Sequence, residues 1–131
     1  MSTMKKMLLL AFLLPITSTL PGRRAKPARI FKFAGPSSEV FYTVEVWEDN
    51  GAISSDFTKV FAHLEHNGNS DKVLFLDGAY LAVAAVRWNG RNEATICLSE
   101  GSVNSFRQDI SLRAGGETYE IRNHVHQNCP K

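Results

Sequence analysis

The sequence predicts an all-β protein, a two-layer antiparallel sandwich of about seven short strands. Three observations carry this. Several segments alternate apolar and polar residues with period two, and they are rich in β-branched and aromatic side chains. Clusters of Gly, Asn, Asp and Ser separate them at short intervals. The stretch Lys72–Ser99 joins the densest apolar run outside the N-terminal segment to an Asn89-Gly90 doublet, the strongest short-range hairpin signal.

Length and composition bound the answer. A chain of 131 residues is enough for one domain and short for two. Its 44% hydrophobic and 21% charged residues are ordinary for a globular protein. The net charge of +2 conceals a segregation. Seven basic residues, from Lys5 to Lys32, precede Gly35 and no acid does, leaving eight basic residues against all 13 acidic ones beyond it. The expected folded part is thus acidic and offers no basic face for nucleic acid.

Taken in order, the chain divides into three expected segments: 1–22, a signal peptide; 23–37, a basic Pro/Gly linker; and 38–131, the sandwich domain. Lys5-Lys6 followed by the apolar run Met7–Ile16 has the form of a secretory signal. That run is too short for a conventional membrane helix, so no transmembrane segment is expected beyond it. The basic residues after it, Arg23, Arg24, Lys26 and Arg29, resist translocation and argue the other way. Within the linker, Arg29–Phe33 alternates weakly and is a possible edge strand.

Glu39–Glu48 reads as a strand, with Val40, Tyr42, Val44 and Val46 on one face. Asp49-Asn50-Gly51 is a turn. Asp56–His66 fits a helix through Phe57, Val60, Phe61 and Leu64, or a strand with Val60, Ala62 and Leu64 inward. The strand reading is preferred because turn chemistry, Asn67–Asp71, follows at once. With Asn89-Gly90 as a two-residue loop, Val83 faces Ile96, Ala85 faces Ala94 and Leu81 faces Leu98 on a core face. Glu100-Gly101 opens a polar loop. Ser105–Leu112 and Thr118–His126 are further strands, the first with Phe106, Ile110 and Leu112 inward, the second with Tyr119, Ile121, Asn123 and Val125 on one face. This strand count is immunoglobulin-like in the broad architectural sense.

Cys97 and Cys129 are an even pair, which in an exported chain points to a disulfide. His124-x-His126 puts two imidazoles on one strand face about 7 Å apart, a spacing from which copper or zinc ligands converge. His63 and His66 would add to a metal site only on a helix. Trp47, Tyr80 and Trp88 are candidate surface aromatics for stacking on a glycan or anchoring a protein interface. Hydrolase, phosphate-loop and zinc-protease motifs are absent. The expectation is a small, secreted or periplasmic, non-catalytic protein that binds a protein or glycan at the cell surface and holds no cofactor. The alternatives are a copper or zinc protein using His124 and His126, and a small enzyme whose motif is not evident.

Overall fold

The computed structural model describes residues 26–48 and 56–129. The expected signal peptide and the turn at 49–51 lie outside the described residues. Seven strands are present: β1 (Arg29–Ser37), β2 (Val40–Trp47), β3 (Phe57–His66), β4 (Asn69–Trp88), β5 (Glu93–Phe106), β6 (Asp109–Ala114) and β7 (Glu117–Gln127). No helix occurs among the described residues.

The strands form one sheet in the order β1-β2-β3-β4-β5-β7-β6, where two layers were expected. The sheet is mixed, because β5 and β7 run parallel while every other neighbour pair is antiparallel. It curls on itself: Tyr42 of β2 packs against Phe75 and Trp88 of β4, with ring centroids 4.9 and 5.2 Å away. The Tyr42 hydroxyl also donates to Asn123 Oδ1 on β7. One concave face thereby encloses the core, which contains Val40, Val60, Leu64, Phe75, Ile96, Leu98 and Leu112 among others.

Alternation explains most of the core. Val40, Tyr42, Val44 and Val46 of β2 and Val60, Ala62 and Leu64 of β3 all face inward. Residues 57–66 are a strand, not a helix, because both of their edges are paired, to β2 and to β4. Part of the expected linker, residues 29–37, is the edge strand β1, paired with β2 from Arg29 opposite Val46 to Ser37 opposite Val40.

Three expectations about the centre are corrected. First, the loop at Asn89-Gly90 spans residues 89–92, closed by the Asn89 N–H donating to the Glu93 carbonyl. The register therefore moves: Ile96 faces Val86, Ala94 faces Trp88 and Leu98 faces Val83. The β5 residues keep their inward face, but near the loop Val86 and Trp88 pack on the core in place of Ala85. Second, of the two Asn-Gly doublets it is Asn67-Gly68 that forms a two-residue loop with both residues at positive φ, 49° and 79°, as Gly115-Gly116 also does at 57° and 83°. Third, Glu100-Gly101 does not start a loop, since β5 continues to Phe106. The turn then falls at Arg107-Gln108, which separates Phe106 from β6.

Candidate functional site

β4 is irregular where it passes β5. Register shifts fall between Ala79 and Ala82, between Ala82 and Val83, and between Val83 and Ala85. At their start Tyr80 adopts φ 55°, a left-handed conformation that is an outlier for a bulky residue. Gly101 lies opposite at φ 98°, and a Cβ there would stand 2.5 Å from both Leu81 Cα and the Tyr80 carbonyl oxygen. Only glycine lets β5 approach this closely. The bulge turns Tyr80 outward, so that the residue is 52% exposed, while Leu81 turns into the core. Strained backbone of this kind concentrates at functional sites.

Beside the bulge a cleft of about 380 Å³ opens between β1 and β4. Its apolar lining is Phe31 and Phe33 of β1, Val44 and Val46 of β2, and Leu81, Ala82 and Val83 of β4. The alternation of β1 and β2 delivers these side chains, since residues at i and i+2 share a face. Thr58 also lines it, with its hydroxyl donating to the Leu81 carbonyl at 3.1 Å. Phe31 and Tyr80 both line the cleft and are exposed, at 47% and 52%. Three charged residues, Arg29, Asp56 and Glu100, share the lining. Arg29 stands 3.6 Å from Glu48 and 3.8 Å from Asp56, whereas Glu100 has no ion-pair partner among the described residues. The volume lies within the range of small-molecule sites, and an apolar floor with a few charged groups at the rim is their usual composition.

The expected site residues are distributed elsewhere. Tyr80 alone of the three candidate aromatics is exposed at this cleft. Trp88 faces the core, because the corrected register puts it opposite Ala94, and its indole N–H is buried without a hydrogen-bond partner among the described residues. Trp47 is half-buried on the convex face, donating to Glu45 at 3.1 Å, with Lys59 Nζ 4.9 Å above its ring.

The histidines do not converge. His124 and His126 lie on the convex face of β7, opposite Tyr119 and Ile121. His124 Nε2 stands 2.8 Å from Glu93 Oε2, and His126 is exposed. No group of three or more His, Cys, Asp or Glu side chains is placed to hold a metal ion among the described residues. His63 stacks on Phe41 with centroids 4.6 Å apart and bonds Thr43 Oγ1 at 2.7 Å. Its pKa is lowered, first by burial and then by Lys72. His66 sits between Glu39, 2.9 Å from Nδ1, and Glu117, 3.5 Å from Nε2, and its pKa is raised, chiefly by the hydrogen bond to Glu39.

Cys97 and Cys129 are joined in a disulfide, with Cα atoms 5.5 Å apart and a sequence separation of 32. The tail is also held by the Asn128 N–H donating to the Leu98 carbonyl at 2.9 Å. Closing a loop of this size is worth roughly 3 to 4 kcal/mol in the chain-entropy model.

A second concavity, about 580 Å³ and shallow, lies on β6 and β7. It is lined by six polar residues with Ile110 and Ile121; Arg122 Nε donates to Asp109 at 3.0 Å and the Asn92 amide to the Glu120 carbonyl at 2.7 Å. Arg122 and Asp109 pair with each other, and apart from the buried Ile110 and Ile121 the basin lacks the apolar floor of the β1–β4 cleft. Comparison of the chain with known protein families, with curated proteins and with solved structures finds no match.

Proposed function

We propose that this chain is a small exported protein with a non-catalytic binding role, and that the cleft between β1 and the Tyr80 bulge is its binding site. The observation that carries the reading is the coincidence of three features in one place. An open apolar floor, two exposed aromatic rings and a strained non-glycine residue all lie within the same cleft. Phe31 and Tyr80 are each about half exposed, and a group that covers them would bury apolar surface worth about 25 cal/mol per Å².

Export rests on the basic and apolar start of the sequence and accords with the Cys97–Cys129 bridge, a bond favoured by oxidising compartments. Protein recovered from outside the cytoplasm should begin between Thr19 and Lys26. Among the described residues no helix is long and apolar enough to cross a membrane.

Nile red, a neutral apolar fluorophore, tests the site. It is expected to bind the oxidised full chain with one-to-one stoichiometry and a blue-shifted emission. Val83→Arg, which puts a charged chain into the floor, should abolish this while the circular dichroism of the sheet is retained. Should that variant not fold, Phe31→Ser at the exposed lip serves the same purpose. Equal binding by the wild type and both lip and floor variants would overturn the reading.

A further inference from the structure

We infer that the ligand of the β1–β4 cleft is an amphipathic cation, with an apolar body in the floor and an ammonium group at the mouth. The inference rests on the binding reading above and adds the chemistry of the ligand's head.

Charge at the mouth is unbalanced. Arg29 is shared by two carboxylates, Glu48 and Asp56, at 3.6 and 3.8 Å, distances of ion pairing without tight hydrogen bonds. Glu100, on β5, lines the same cleft, exposed and with no ion-pair partner among the described residues. Among the described residues that line the cleft, one guanidinium, Arg29, stands against two carboxylates, Asp56 and Glu100, which favours a cation at the entrance of an apolar cavity. An anionic head would meet Glu100 without compensation, and a neutral head would leave the imbalance unused.

The two rings point the same way. Phe31 and Tyr80 line the cleft and are each about half exposed, 47% and 52%. The face of an aromatic ring carries negative quadrupole potential, which attracts an organic ammonium ion placed over it. The preference for ammonium over a bare metal ion follows from the floor. Phe33, Val44, Val46, Leu81 and Val83 offer no oxygen ligands to a metal but accommodate an alkyl or aryl body. The bulge fixes this arrangement, since it turns Tyr80 outward and sends Leu81 into the interior.

Calorimetric titration of the oxidised full chain with three probes of one chain length decides the matter: octyltrimethylammonium, n-octanol and octanoate. The cation should bind most tightly and octanoate most weakly. Glu100→Gln, an exposed substitution that leaves the fold intact, should weaken the cation about two- to fivefold and leave octanol unchanged. Phe31→Leu, which keeps an apolar lip but removes the ring, should weaken the cation more than it weakens octanol. Added salt should weaken the cation alone. Octanol or octanoate binding as tightly as the cation, or a Glu100→Gln variant indistinguishable from wild type, would overturn the ammonium assignment while leaving the cleft as a binding site. Failure of all three probes would remove both.

Discussion

The Tyr42 hydroxyl donates a hydrogen bond to the side-chain oxygen of Asn123, across 81 positions of sequence and inside the core. Asn123 is fully buried, and its amide nitrogen lies 3.4 Å from the Gln108 carbonyl. Burial, and after it the neighbouring Tyr119, pushes the Tyr42 phenol well above its ordinary pKa. The hydroxyl is thus a neutral donor throughout the physiological range. The bond ties β2 to β7 and so holds the curl of the sheet.

Tyr42→Phe is therefore expected to cost about 1 to 3 kcal/mol, because it leaves the Asn123 oxygen buried without its donor. Urea denaturation measures this. The double variant Tyr42→Phe/Asn123→Leu should lose less than the sum of the single losses, since the two residues form one unit.

Ile96 is fully buried and Thr95, one residue away, is half-buried on the convex face. Ile96→Ala should cost about 2 to 5 kcal/mol through lost contacts and the cavity left behind. Thr95→Ala should cost on the order of 1 kcal/mol or less. Equal shifts of the denaturation midpoint would mean that the faces of β5 are reversed.

Gly101→Ala should destabilise by more than about 1 kcal/mol, because alanine resists φ 98° and its Cβ would collide with the β4 backbone at Tyr80 and Leu81. Thermal melts compared with Gly68→Ala isolate the collision. Gly68 also has positive φ, but a Cβ there meets nothing within 4 Å. A loss at Gly101 no larger than at Gly68 would contradict the close approach at the bulge.

His63 and His66 respond to pH in opposite senses. His66 has a raised pKa in the folded state, so its contribution is fully present below its unfolded value of about 6.5 and disappears as pH rises through the folded value. His63 has a lowered one, so its contribution is full above about 6.5 and is lost as pH falls toward the folded value. His66→Gln should therefore lower stability at pH 5.5 more than at pH 8, values chosen about a unit or more either side of the ordinary histidine pKa. His63→Gln should make the protein relatively less sensitive to acid. Melting curves of both variants across this range check the signs.

Much of the fold was legible because local alternation sets which side chains are buried. Val40 to Val46, Val60 to Leu64 and Tyr119 to Asn123 face inward as their period-two pattern requires. The turn chemistry was ambiguous in a specific way. Asn-Gly occurs at both 67–68 and 89–90, and only the first has positive φ at both residues. A doublet permits a tight turn, but the pairing of the flanking strands selects it. Bulges at 79–85 interrupt alternation without changing residue type, so the face of Trp88 could not be read from its neighbours. The parallel pairing of β5 with β7 joins segments distant in sequence and carries no local signal.

The candidate site was less legible than the fold. Its floor combines β1, whose Pro, Gly and basic residues have the composition of a linker, with inward residues of β2 and β4 that look like ordinary core. Tyr80 was singled out as an aromatic, but its role at the mouth depends on a left-handed backbone that nothing in its side chain announces. The weak alternation of Arg29–Phe33 was the one available signal for the opposite wall.

Two-dimensional NMR of the oxidised chain titrated with n-octanol tests the central claim most directly, because it locates an apolar ligand without assuming its head group. Amide shifts concentrated at Arg29 to Phe33, Tyr80 to Val83 and Glu100 are the predicted result. Shifts centred on Arg107, Ser111 and Arg122 in the β6–β7 basin, or scattered with no saturable site, would contradict it.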